Sequence, residues 1–299
     1  MLIAVLLVIV IASCSKTEQK NENLIGPKKV TVANGIMTPE ILWSFGRLGE
    51  IAVSPNGKRV LFTTTWYSIE QNKSNSELYI MNADGSDKKQ LTFTSAHENN
   101  PTWVDDNRIA YLSEESGLSQ IWVMNADGSN KKMISSFESD INGFQISPKG
   151  DKVLFISEVK VDKNTVDIYP DLPKTTGMII NDLMYRHWDV WEDGLYSHVF
   201  VADFTDGIVK NAKDLMPNQP YDSPEKPFGG MEEISWTPDG KEIAYTCKML
   251  KGKEYAFSTN TDIYLYNLEN GNVKNLTEGM PGYDKAPVFS PDGSKMIWL

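Results

Sequence analysis

A turn phrase followed by an apolar run recurs along this chain, and it constrains the fold more than any other feature. Trp236-Thr237-Pro238-Asp239-Gly240-Lys241-Glu242-Ile243-Ala244-Tyr245-Thr246-Cys247 is its fullest copy. Other copies open at Ser54-Pro55-Asn56-Gly57, Ser147-Pro148-Lys149-Gly150 and Ser290-Pro291-Asp292-Gly293. Trp103 to Tyr111 is a degenerate copy whose turn lacks the proline and the glycine. A Ser or Thr hydroxyl can bond a nearby backbone N–H, Pro presets φ at the next position, and Gly tolerates the exit geometry. The runs that follow are rich in β-branched and aromatic residues, which predicts strands. Val153-Leu154-Phe155-Ile156 is apolar throughout, so that strand should be covered on both faces.

A second phrase follows the first. Glu77 to Ser86, Gln120 to Ser129 and Asp262 to Gly271 each read as a strand running into an Asp-Gly or Asn-Gly turn, with a further short strand beyond. Two hairpins per repeat give four antiparallel strands. The copies begin at about 54, 103, 147, 237 and 290. Four-stranded repeats of about 40–50 residues predict an all-β chain, a β-propeller of WD-repeat-like, TolB-like blades. The count is about four complete blades and the start of a fifth, over 37–299. The spacing between the third and fourth copies is about twice the others, so an insertion is expected at about 159–196 in the third blade. It carries Tyr185, Arg186, His187, Trp188 and Trp191. These aromatics could line a ligand surface, but packing onto their own blade is the favoured reading, because exposed apolar patches are few.

Residues 1–14 read as a lipoprotein signal peptide. Positions 2–11 are an apolar run too short to span a bilayer, and Ile11-Ala12-Ser13-Cys14 resembles a bacterial lipobox. Cys14 is therefore the expected lipidation site. Residues 15–36 read as a polar tether. These features predict an exported protein, periplasmic or on the outer membrane of a Gram-negative bacterium, held to the membrane by an N-terminal lipid anchor. Thr38-Pro39 should cap and open a short helix.

Of the two cysteines, Cys247 lies in a blade strand and reads as a small buried hydrophobe. The three histidines, His97, His187 and His198, are too scattered to propose a metal site. No cofactor is expected. Net charge is −11, and no basic patch points to nucleic acid. Glu232 and Glu233 are a candidate carboxylate pair for acid–base work or for holding a substrate amine. On a strand, adjacent residues point to opposite faces and would not converge.

Met37 through Phe62 (MTPEILWSFGRLGEIAVSPNGKRVLF) resembles the opening of secreted prolyl oligopeptidase-family serine peptidases, in the branch of dipeptidyl peptidase V and the acylaminoacyl peptidases. Tyr185-Arg186-His187-Trp188, followed by Ser197 to Asp203, resembles that branch's inserted third blade. The resemblance implies a propeller that filters peptides on their way to a Ser-Asp-His triad. That triad belongs to an α/β-hydrolase domain, with its serine on a Gly-x-Ser-x-Gly elbow. No such elbow occurs here, so no catalytic residue is carried over, and substrate-binding residues stay unassigned. The sequence reads as the propeller portion of a longer exopeptidase whose own C-terminal hydrolase domain lies beyond it, and as inactive alone. The alternative is a non-catalytic TolB-like periplasmic propeller that binds another envelope protein; the long third-blade insertion weighs against it. A carbohydrate-binding or lyase propeller finds no clustered His, Arg or Tyr on successive blades.

Overall fold

The computed structural model describes residues 24–32, 34–188, 190–205 and 207–299. The expected signal segment, Cys14 and most of the expected tether lie outside these residues. A one-turn helix, α1 (Pro39–Trp43), precedes the blades, with the Thr38 hydroxyl accepting from the Ile41 N–H and Pro39 at its first position.

Four antiparallel four-stranded sheets follow in chain order. Blade one comprises β1 (Arg47–Val53), β2 (Arg59–Ser68), β3 (Lys73–Asn82) and β4 (Lys89–Gln90). Blade two comprises β5 (Glu98–Trp103), β6 (Arg108–Ser113), β7 (Gln120–Asn125) and β8 (Lys132–Met133). Blade three opens with β9 (Ile141–Ile146) and β10 (Lys152–Lys160). The chain then leaves the sheet through the short helix α2 (Thr165–Ile168) and a two-stranded ribbon, β11 (Arg186–His187) with β12 (Val190–Trp191). It returns as β13 (Leu195–Thr205) and β14 (Ile208–Asp214). Blade four comprises β15 (Ile234–Trp236), β16 (Glu242–Cys247), β17 (Asp262–Asn267) and β18 (Val273–Asn275), with helix α3 (Gly252–Phe257) between its middle strands. A last pair, β19 (Val288–Phe289) and β20 (Met296–Ile297), opens the next blade. The fold is thus an all-β propeller of four complete blades and the start of a fifth.

The recurrent turns have one hydrogen-bond plan. Gly57, Gly150, Gly240 and Gly293 sit at φ of 71°, 71°, 67° and 69°, the left-handed region that glycine enters without strain. Each donates its N–H to the carbonyl of the Ser or Thr three residues earlier, at 2.8 Å. The hydroxyls of Ser54, Thr237 and Ser290 accept from the N–H five residues on, at 2.9, 3.0 and 3.0 Å. In the degenerate copy the Asp105 carboxylate takes over this work, accepting from Asn107 N and Arg108 N.

The cores lie between blades. In β10, Val153 and Phe155 face blade two with Ala110, Leu112 and Ile121, while Leu154 and Ile156 face blade four with Ile243 and Tyr245. Strand β6 divides in the same way: Ile109 and Tyr111 meet Leu61 and Leu78 of blade one, and Ala110 and Leu112 meet blade three. A strand sandwiched between two blades has no solvent face, which is why these runs are apolar without alternation. Side-chain amides stitch the innermost strands across these seams. Asn100 bonds both backbone groups of Phe144, and Gln145 donates to the carbonyls of Met231 and Ile234.

Candidate functional site: an acidic recess between blades three and four

Antiparallel order fixes which connections share a face. The first and third turns of every blade lie at one end of its strands. The connections from second to third strand, and from one blade to the next, lie at the other. Segments 161–194, 215–233 and 248–261 therefore gather at one end of blades three and four.

They enclose a recess of about 200 Å³. Asp162, Asp182, Glu192 and Asp222 line it, with Lys251 at its edge and Leu183, Met184, Tyr221, Leu250 and Tyr255 among its apolar walls. Asp182 reaches in because α3 begins at Gly252, whose φ is 58°; a Cβ there would strike the Asp182 carboxylate. The Tyr196 hydroxyl donates to Asp162 Oδ2 at 2.8 Å.

Behind the recess lies a set of buried and half-buried charges. Lys226 Nζ sits 2.8 Å from Glu158 Oε1 and 3.4 Å from Asp222 Oδ1, and donates to the Leu195 carbonyl. Asp222 Oδ1 also accepts from Ser197 N at 2.7 Å. Lys248 is almost fully buried, its Nζ lying 3.7 Å from Glu225 Oε1 and 4.3 Å from the centre of the Tyr255 ring. Glu233 Oε2 accepts from Glu225 N at 2.8 Å.

Carboxylates outnumber the lysines in this set, and the electrostatics follow. Burial pushes Glu192, Asp222, Glu225 and Glu233 above the ordinary carboxylate range, against the pull of Lys226 on Asp222 and of Lys248 on Glu225; at Glu192 the Asp222 charge adds to it. Burial alone would lower Lys226, yet the Asp222 and Glu158 carboxylates hold it above its usual value. Glu192 makes no ion pair among the described residues. An organic cation entering the recess would meet acceptors whose charge is held unfavourably without it.

An aromatic rim stands beside the recess. Trp188 and Phe228 meet edge to face at 5.2 Å, His187 packs against both, and Tyr185 lies against Trp191. Trp188 is 65% exposed and Phe228 72%. The packing expected for the insertion's aromatics is therefore not what the structure shows: they contact each other and a neighbouring loop but stay open to solvent.

The TolB beta propeller domain family (PD40) matches residues 43–176. Dipeptidyl-peptidase 5 of Porphyromonas gingivalis is 45% identical over 93% of this chain and 41% of its own length. The chain is a dipeptidyl-peptidase 5 homologue over its propeller portion. The Porphyromonas endodontalis dipeptidyl-peptidase 5 is 38% identical over 91% of this chain and 39% of its own. The chain thus spans about two fifths of the length of the curated relatives it matches. An uncomplexed acylaminoacyl peptidase of Pyrococcus horikoshii shares the fold, with a TM-score of 0.59 at 18% identity over 85% of this chain and 35% of that one.

In this homologue Glu232 and Glu233 do not sit on a strand. They belong to a 3₁₀ turn, Met231–Glu233, that leads into β15. They still diverge, since Glu233 is buried against Glu225 and Glu232 is exposed. Cys247 lies wholly buried in the seam below, where burial holds its thiol well above the ordinary range, the behaviour of a packing residue. Glu158, Glu192, Asp222, Lys226 and Lys248 escaped the reading of the sequence. Their one signal is the run Asp222-Ser223-Pro224-Glu225-Lys226-Pro227, charged and proline-rich in an interblade connection much longer than 91–97 or 134–140.

Proposed function

We propose that this chain is the peptide-admitting propeller of an exported serine exopeptidase, and that the acidic recess receives the amino group of a peptide. The observation that carries this is Glu192, a half-buried carboxyl without an ion-pair partner among the described residues, in a recess with apolar walls. A free α-ammonium supplies the missing positive charge, and the walls accommodate the side chain beside it. Homology to dipeptidyl-peptidase 5 supports a peptide substrate, and the recess favours release of dipeptides over removal of blocked residues, since an acylated terminus carries no charge. Hydrolysis itself belongs to an α/β-hydrolase domain in the same polypeptide, with the propeller restricting substrates to short peptides.

The test uses the complete peptidase. Glu192→Gln should lower kcat/KM for peptides with a free amino end by roughly ten- to a hundredfold, the worth of one charge-assisted hydrogen bond. Turnover of N-acetylated peptides should be unchanged. An equal loss on both substrates would sink the amine assignment. A complete protein without any peptidase activity would favour instead a propeller that binds an envelope protein, with the Trp188–Phe228 rim as its contact.

The apolar run at 2–11 and the lipobox-like Ile11-Ala12-Ser13-Cys14 support export as a lipoprotein. Metabolic labelling with a palmitate analogue should mark the protein, and Cys14→Ala should abolish it. Undiminished labelling of that variant would rule the anchor out.

A further inference from the structure

The seam between blades one and two holds two carboxyl groups that the peptide recess does not use. Glu77, on β3, is 2% exposed, and Glu98, the first residue of β5, is 0% exposed. Donors approach only one oxygen of each in close geometry. Glu77 Oε1 accepts from Asn75 Nδ2 and Thr94 N, both at 3.0 Å. Glu98 Oε1 accepts from the hydroxyls of Thr94 at 2.8 Å and Ser113 at 3.0 Å. The second oxygens, Glu77 Oε2 and Glu98 Oε2, have no close partner although both are buried. Thr94 bridges the two groups, donating its N–H to Glu77 and its hydroxyl to Glu98. Two ionised carboxylates offer acceptors alone, so a buried pair bridged by one residue, with orphaned oxygens and no cation, is relieved by a proton on one of them.

We propose that Glu77 and Glu98 hold one proton between them in this seam, forming with Thr94 an acid–carboxylate clasp that ties blade one to blade two and weakens as pH rises. The clasp also reaches the lead-in chain, because Asn75 Nδ2 bonds the carbonyl of Ile25 as well as Glu77. The groups facing the pair come from every packed element. They are Asn75 of β3, Thr92 and Thr94 of the connection, Ser113 and Tyr111 of β6, and at longer range Glu115. None is a cation, so nothing but a proton offsets the second charge. Burial, and then the Glu77 charge, push Glu98 up to about 8, and burial raises Glu77 as well. In the opened seam both would titrate in the ordinary carboxyl range near 4. Between those limits the closed seam binds the extra proton and the open seam does not, so raising pH favours opening. Above about 8 both states are deprotonated and the dependence ends.

The experiment is amide hydrogen exchange of the full chain, read in peptides covering 75–80 and 92–99 and corrected for intrinsic rates. From pH 6 to 7 protection should fall about tenfold, the linkage of one proton. Glu98→Gln keeps a neutral donor in place and should remove that dependence. Infrared difference spectra at pH 7 should show a protonated-carboxyl stretch in the parent that Glu98→Gln lacks. Glu77→Gln should keep that stretch, because burial alone holds Glu98 protonated. Absence of the stretch in the parent overturns the clasp, as does an unchanged pH dependence in Glu98→Gln. Added sodium or calcium restoring protection at pH 8 in the parent alone would also overturn it, since a cation would then hold the pair.

Discussion

Phe155→Ala should destabilise the protein by about 3–5 kcal/mol, the cost of emptying an aromatic site in a close-packed core. Phe155 is 1% exposed. Its ring stacks on Phe200 of β13 at 5.1 Å, and Phe137 meets both rings edge-on at 5.1 Å. Three rings from the β8–β9 connection, β10 and β13 thus fill the seam between blades two and three. Strands on both sides hold their spacing, so the void cannot collapse easily. The control is Phe93→Ala, on a side chain 65% exposed, which should fall within about 0.5 kcal/mol of the parent. Urea titration followed by tryptophan fluorescence measures both. Equal midpoint shifts for the two variants would contradict this account of the seam.

Lys226→Met should be nearly as damaging, by about 3 kcal/mol, because it strands the buried Asp222 carboxylate instead of merely removing a contact. Glu158 and Asp222 both lose their cation. The sign of the pH effect follows. Burial already raises Asp222, and without Lys226 its folded value climbs further while its unfolded value stays put. Between those values the folded state binds the extra proton, so stability falls as pH rises and the defect is smaller at pH 4 than at pH 8. Adding Asp222→Asn should restore part of the loss by removing a charge that no longer has a partner. A thermal-melt series of the three proteins at both pH values decides it. A pH-independent defect would mean that Lys226 acts through its aliphatic stem.

The fold was legible because its information repeats. Ser54, Ser147, Thr237 and Ser290 introduce the same turn, and the unbroken apolar run at 153–156 announces a strand with neighbours on both sides. The recess was not legible, because nothing in it repeats. Glu158 lies near the end of a blade strand, Glu192 follows an inserted ribbon, and Asp222 and Lys226 lie in an interblade connection; only the packing of blades three and four brings them together. Glu232 and Glu233 were expected on a strand because the approach to β15 gives no period that would mark a 3₁₀ turn. The exposure of Trp188 depends on what stands opposite it. Here that is Phe228, 40 positions along the chain, itself open to water.

The placement of the cores has a consequence for how the molecule comes apart. Leu61, Leu78 and Tyr111 belong to one cluster, Phe155 and Phe200 to the next, and Tyr245 and Trp236 to a third; each cluster draws its members from two adjacent blades. A single blade therefore has no interior of its own, and its sheet persists only through its neighbours. Cohesion then behaves as a linear series of couplings between adjacent units, each unit lending half of two interfaces. Loss of structure should spread from whichever coupling is weakest instead of striking all blades at once. Substitutions at Leu61 and at Tyr245, in couplings that share no residue, should sum in their effects. Those at Phe155 and Phe200, within one coupling, should not.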